Sequence, residues 1–170
     1  MASCRSALRA LAHTDLSPAA LIDRLENQLM RDLTDGRFIT MIFGVLHPCG
    51  RFDYANAGHA PAMAWTAQDG VFHLPSHRPP LGIQVPLDEP PESSVQLQPG
   101  DRVLLASDGV NEAQAPDRKQ FGFDPIEGLM RDNNLPSDAL ITRLRDDVTR
   151  HRGVAPANDD VRFSASTAAR

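Results

Sequence analysis

Cysteine is nearly absent. Cys4 and Cys49 are the two in 170 residues, too few for a disulfide framework, and neither stands at a metal-binding spacing. Positive charge is outnumbered: 17 Lys and Arg face 22 Asp and Glu, a net charge of -5, and the basic residues, mostly Arg, are scattered. That excludes a broad electrostatic footprint for nucleic acid. No apolar run approaches the roughly 20 residues that cross a bilayer, and the N-terminus lacks the apolar core of a secretory leader. There is no Gly-rich phosphate loop of the kind nucleotide-dependent kinases carry, and Ser107 has no Gly-x-Ser-x-Gly surroundings. These absences set the expectation of a cytoplasmic protein in a reducing setting, with no nucleic-acid partner and no membrane.

What is present reads as one soluble domain with a real core: 41% of residues are hydrophobic and 23% charged. Residues 2–13 place Cys4, Ala7, Leu8 and Leu11 on one helical face. Ser17-Pro18 opens a second helix, because Ser17 can cap it and Pro18 has no amide hydrogen to leave unpaired. Leu21, Ile22, Leu25, Leu29 and Leu33 follow at helical spacing, up to Thr34-Asp35-Gly36. From residue 37 the period changes. Phe38 to Leu46, β-branched, aromatic and uncharged, predicts a central strand. His47-Pro48-Cys49-Gly50 predicts a hairpin turn, and residues 51–57 its antiparallel partner.

Further short strands are expected at 62–66, 71–74 and 94–97, with a proline-rich loop over 75–93. A polar loop spans 114–120. Asp124-Pro125 starts one helix, and Ser137-Asp138 caps another that Gly153 ends. A last short strand at 161–163 closes the domain (residues 1–163), and 164–170 reads as a disordered tail. Helices, an antiparallel meander, then helices and a strand make an α+β order.

The chemistry points to Asp101 through Ala113. Val103 to Ala106 fit a strand buried on both faces, entered by the turn Gln98-Pro99-Gly100-Asp101 and left through Asp108-Gly109. A carboxylate at the mouth of such a strand is placed either for a metal ion or for an Asx-turn. The pair Asp159-Asp160 flanks the last strand in the same way, so if strands 103–106 and 161–163 are neighbours, their carboxylates meet at one edge. Such oxygen ligands suit Mg²⁺ or Mn²⁺ rather than zinc; solvated loop charges are the alternative. His59, at the strand break Gly58-His59-Ala60-Pro61, serves either packing or catalysis.

Several runs taken in order carry a resemblance. They are Leu16-Ser17-Pro18-Ala19-Ala20-Leu21, Arg37-Phe38-Ile39-Thr40-Met41, Tyr54-Ala55-Asn56-Ala57-Gly58-His59-Ala60-Pro61, Pro80-Leu81-Gly82-Ile83, Pro99-Gly100-Asp101-Arg102, Ser107-Asp108-Gly109-Val110-Asn111-Glu112-Ala113, Phe121-Gly122 and Asp159-Asp160-Val161. In their order and spacing the chain resembles the C-terminal two-thirds of the bacterial metal-dependent serine/threonine phosphatase domain of the PP2C (PPM) class, stage II sporulation E/RsbU type.

The resemblance implies a partial sandwich of antiparallel β-sheets flanked by α-helices. It also implies hydrolysis of phosphoserine or phosphothreonine by a water activated between two Mn²⁺ or Mg²⁺ ions. Carried over by position, Asp108 and Asp159 would be metal ligands, with Gly109, His59 and Asp160 as site neighbours. The implied substrate is a phosphorylated protein, a STAS-type anti-sigma-factor antagonist. Two family motifs, a Gly-Gly-Asp-type run that supplies a metal-bridging aspartate and an Asp-x-x-Gly-His-Gly run, have no counterpart here. Asn111 and Arg162 also stand where the family usually has threonine. The expectation is therefore a phosphatase domain without its N-terminal part, completing at most one metal site. The alternative is a catalytically inactive binding module, alone or paired with a second chain as in a homodimer.

Overall fold

Ser17 behaves as its position predicts. In the computed structural model, which describes residues 2–30, 36–60, 62–83, 85–86, 91–132, 135–154 and 163–167, a first helix α1 (Ala2–Leu11) precedes it. Ser17 is extended and its Oγ accepts the Ala20 N–H at 3.4 Å, starting α2 (Pro18–Leu29) with Pro18 in the first turn. Leu21, Ile22, Leu25 and Leu29 are buried as the spacing requires; Leu33 and the expected stop at Thr34-Asp35 lie outside the described residues.

Two compact units make up the chain. The first comprises Met1–His59 and Pro75–Gln96, the second Ala60–Leu74 and Leu97–Arg170. In the first unit, β1 (Met41–Leu46), β2 (Arg51–Ala57) and β5 (Ser93–Gln96) form an antiparallel sheet in the order β1-β2-β5. The His47–Gly50 turn joins β1 to β2, closed by His47 N–H donating to the Arg51 carbonyl at 2.8 Å. Met41 lies opposite Ala57 and Phe43 opposite Ala55. Large side chains thus face small ones, and α2 approaches the small ones: Ala55 and Ala57 pack with Ile22, Leu25 and Leu81.

The expected central strand is corrected by this order. Among the described residues β1 is at the sheet edge and half-buried, and β2, buried over most of its length, holds the centre. An uncharged β-branched run does not distinguish the two positions, since β-propensity reports only a partly buried pleated surface.

The proline-rich loop is fastened to this unit by side chains. The Arg78 guanidinium, 9% exposed, pairs with Asp23 and Glu26 of α2, and the other oxygen of Glu26 accepts the Gly82 N–H at 2.8 Å. His77 stacks near Tyr54, with ring centroids 5.0 Å apart. Its Nδ1 accepts the Asn56 N–H at 3.2 Å, so Nε2 carries the proton donated to Ser93 Oγ at 2.9 Å. Protonating Nδ1 would set a donor against a donor.

Burial pushes the His77 pKa below 6.5, against the weaker opposing field of Glu92. The unfolded chain therefore takes up a proton that the folded chain refuses, and stability falls as pH drops from 6.5 through the lower folded value. Urea unfolding followed between about pH 5 and 8 should show this loss, and His77→Gln should flatten it. An unchanged slope in the variant would remove His77 as the source.

In the second unit, β3 (Ala62–Thr66), β4 (Gly70–His73), β6 (Arg102–Ala106) and β7 (Phe163–Thr167) form an antiparallel sheet in the order β4-β3-β6-β7. The short helix α3 (Asp108–Asn111) follows β6, and α4 (Asp124–Arg131) and α5 (Ser137–Arg152) complete the unit. Met63 and Leu104 of the sheet pack with Ile126, Met130, Leu140 and Leu144 of the helices, all essentially without solvent contact. The expected tail is corrected over 164–167: small polar residues pair there with β6, from Ala106 opposite Phe163 to Arg102 opposite Thr167. Short polar side chains do not prevent an edge strand, because its ladder bonds are made by backbone. Pro136, rather than Ser137, occupies the N-cap of α5, and Gly153 ends that helix at φ +52° as expected.

Asp101 and Arg102 are both buried at the start of β6. Asp101 accepts the Ala67 N–H at 3.0 Å and the Gln98 N–H at 2.8 Å. Arg102 donates to the carbonyls of Asp132 and Leu135, at 2.9 and 3.0 Å, and lies 5.4 Å from the Trp65 ring centre. Among the described residues, no helix is long and apolar enough to cross a membrane.

Candidate functional site

β6 carries its chain end to Asp108 along a fixed path. The strand lies between β3 and β7, with Val103, Leu104 and Ala106 buried. The expected sharp Asp108-Gly109 turn is instead a single helical turn, α3, entered from extended Ser107. Gly109 is buried there and is not among the residues with positive φ, so its freedom to adopt a left-handed backbone is not used. Val110 is sealed in the core, and Glu112 N–H returns to the Asp108 carbonyl at 2.9 Å. With Val110 pointing in, Asp108 points out and is exposed.

One Asp108 oxygen, Oδ1, accepts the Gly109 N–H at 3.0 Å. This is the local turn bond that the sequence left open, and it coexists with an exposed carboxylate. One turn on, the exposed Glu112 was not singled out in the sequence, although its i, i+4 spacing from Asp108 was the available signal.

The other expected site residues divide. β7 runs antiparallel to β6 with Phe163 opposite Ala106, so the two strands are neighbours; Asp159, Asp160 and Arg162 lie outside the described residues. His59 belongs to the first unit. It is held by a reciprocal clamp: Asn56 Oδ1 accepts the His59 N–H at 2.8 Å, and Asn56 Nδ2 donates to the His59 carbonyl at 2.9 Å. Its Nδ1 is 3.3 Å from Thr40 Oγ1. Gly58 stands at φ +65°, where a Cβ would come within 2.6 Å of Pro80, so the corner admits no other residue without displacing that ring.

The spacing of His73 and His77 is that of a helical metal pair, yet His73 ends β4 and His77 lies in the first unit's loop. Cys4 packs in the core of the first unit, and burial raises its thiol pKa, as suits an inert structural cysteine.

As a donor set, Asp108 offers the hard oxygen that Mn²⁺ or Mg²⁺ takes. Among the described residues, however, no group of three or more His, Cys, Asp or Glu comes together to hold a metal ion. The described residues therefore fit one ligand position and not a dinuclear centre.

The family model for stage II sporulation protein E (SpoIIE) matches residues 1–167. The chain belongs to the SpoIIE family. A curated relative, the phosphoserine phosphatase RsbU of Bacillus subtilis (strain 168), is 29% identical over 125 residues, which cover 72% of this chain and 36% of RsbU. The chain spans about a third or less of the curated relatives it matches.

The PP2C phosphatase domain of SpoIIE from Bacillus subtilis, solved with a fragment of its regulatory domain, has the same fold. Its TM-score is 0.75 at 20% identity, over 96% of this chain and 48% of that one. RsbX, crystallised in complex with magnesium, also shares the fold, with a TM-score of 0.67 at 13% identity over 96% and 70% of the two chains. The SpoIIE-family fold is thus a PP2C fold of helices and antiparallel sheets, and several family runs have structural work in it. Asn56-Ala57-Gly58-His59 makes a corner, and Asp101-Arg102 ties loops to β6.

Proposed function

We propose that this chain is the phosphatase domain of a metal-dependent serine/threonine protein phosphatase, hydrolysing phosphoserine or phosphothreonine in a protein. The observation that carries the reading is Asp108: an exposed carboxylate fixed at the end of a buried strand, in a SpoIIE-family chain. Asp108 and Asp159 would hold Mn²⁺ or Mg²⁺, with Gly109 and Asp160 as neighbours. Bound metal would supply a lowered water pKa and charge neutralisation at phosphate oxygens. The chain's own contribution is orientation. Buried Val110 sets the direction of α3, and the Gly109 N–H holds one Asp108 oxygen, with no hydrogen bond to the other among the described residues. The proposed substrate is a phosphorylated anti-sigma-factor antagonist of the STAS type, by analogy with the family.

A second reading, a binding module without catalysis, is favoured by the absence of a three-ligand group among the described residues. The two readings separate in one experiment. Wild-type protein should hydrolyse p-nitrophenyl phosphate with added Mn²⁺, and Asp108→Asn should reduce the rate at least ~100-fold, equivalent to about 2.7 kcal/mol. Mn²⁺ uptake by calorimetry should weaken in the same variant. Absence of both turnover and uptake in the wild type would leave the binding module.

A further inference from the structure

We propose that the hairpin over residues 114–120, with the last turn of α5, is a basic docking surface for the acidic flank of a phosphoprotein; the nature of that partner rests on the phosphatase reading. The hairpin leaves directly from the helix that bears Asp108. Its base is closed by Phe121 N–H to the Ala113 carbonyl at 2.9 Å and by Gly122 N–H to the Asn111 carbonyl at 2.8 Å. Phe121 anchors it in the core of the second unit. Whatever the hairpin holds is therefore tied to the turn that sets Asp108.

The tip gathers positive charge from two distant stretches of sequence. His151 Nε2 donates to the Lys119 carbonyl at 2.9 Å, and the His151 ring meets Phe121 edge-on at 5.4 Å. Gly153, at the end of α5, lies beside Pro116: a Cβ built on it would be 3.9 Å from the proline ring. These contacts set Arg118 and Lys119 against the basic turn Arg150-His151-Arg152. Of the nearby acidic side chains, Asp147 is ion-paired with Arg143 and Arg150, and Asp117 keeps its charge beside the tip, its Oδ1 accepting the Lys119 N–H at 3.1 Å. The side chains of Arg118 and Lys119 are exposed, with no hydrogen bond or ion pair among the described residues. In a chain of net charge -5 this gathering of cations stands out.

The backbone supplies an independent argument. Ala115 N–H bonds the Lys119 carbonyl and Arg118 N–H bonds the Ala115 carbonyl, which defines a three-residue hairpin loop whose last position is left-handed. Glycine is the residue that loop favours. Arg118 occupies it at φ +67°, the one non-glycine residue with positive φ among the described residues. The turn would be better served without the side chain, so what Arg118 adds is the guanidinium. The exposed guanidinium of Arg118 and ammonium of Lys119 suit carboxylates and a phosphate on a protein. Two such side chains fall short of the clusters of about four to eight basic residues that read an anionic bilayer.

Lys119 is the sole lysine in the sequence, so a lysine-specific endoprotease cuts the chain at this tip alone. The probe is a fluorescein-labelled peptide with one phosphoserine among aspartates, read by anisotropy without metal at about 150 mM salt. The peptide should bind wild-type protein and slow cleavage after Lys119. Arg118→Gly with Lys119→Gln should weaken binding about tenfold while leaving the melting temperature unchanged or higher, and Arg118→Lys with Lys119→Arg should restore it.

Equal binding by the Gly/Gln variant, or undiminished cleavage at saturating peptide, would overturn the proposal. So would binding to phosphatidylserine vesicles with none to the peptide. Manganese-dependent hydrolysis of p-nitrophenyl phosphate, measured on the same wild-type preparation, keeps the two readings apart. Weakened peptide binding by the variant, with no hydrolysis by the wild type, retains the surface and removes the phosphatase. Hydrolysis by the wild type, with equal peptide binding by the variant, does the reverse.

Discussion

Asp101→Ala is expected to cost about 3 kcal/mol of unfolding free energy, because it removes a buried carboxylate that accepts two part-buried backbone amides. The carboxylate is 3% exposed. It receives the Ala67 N–H, after the end of β3, and the Gln98 N–H, in the turn before β6. One side chain thus fastens both loops at that end of the second unit's sheet. Asp101→Asn keeps one acceptor oxygen and should lose roughly half as much. Urea denaturation of the three proteins checks the order wild type, Asn, Ala. If Asn and Ala proved equal, the two bonds could not be acting separately.

Arg78→Met should cost about 3 kcal/mol, toward the lower end for breaking a buried ion pair. The reduction follows from exposure: the Glu26 side chain is 12% exposed, but that of Asp23 is 34%, so water can take over part of its solvation. The larger share of the cost comes from Glu26, left buried with the Gly82 N–H as its remaining described donor. A double variant, Arg78→Met with Glu26→Leu, should recover part of the loss, since it removes the less exposed carboxylate, while Asp23 is left to water and the Gly82 N–H loses its acceptor. If the double variant were as unstable as the sum of the single ones, the pairing would have no energetic weight.

These two residues also mark how far the sequence could be read. Helices α1, α2, α4 and α5 were legible because apolar residues repeat at helical spacing, and β6 because Val103 to Ala106 form an unbroken apolar run bounded by turns. The turn at Pro99-Gly100 was legible too, though not that its Asp101 would be drawn into the interior. Arg78 offered no signal, since its partners lie 55 and 52 positions away and a lone arginine in a proline-rich loop reads as solvated.

The position of β1 at the sheet edge and the pairing of residues 164–167 were missed for one reason: edge and centre differ in what lies alongside, and side chains encode that poorly. Of the candidate site, the Asp108 turn was legible from its motif. The basic tip was not, because it depends on His151 meeting Lys119 across 32 positions.

The division of the chain also bears on how it is made. Neither unit is a single stretch: the first needs residues 75–96 in addition to 1–59, and the second takes 60–74 before the long run from 97. During synthesis from the N-terminus, α1, α2, β1 and β2 must wait for β5 to emerge. The β3–β4 hairpin, already made, must wait longer still for β6 to cover the other side of β3. Pairing between residues so far apart favours slow closure and a nascent chain that shows apolar surface until late. Fragments should fare worse than the units suggest: a piece beginning at residue 97 would carry β6 and β7 but leave β6 without β3, its neighbour on one side. Neither unit can be released by one cut, so each depends on continuous chain running through the other.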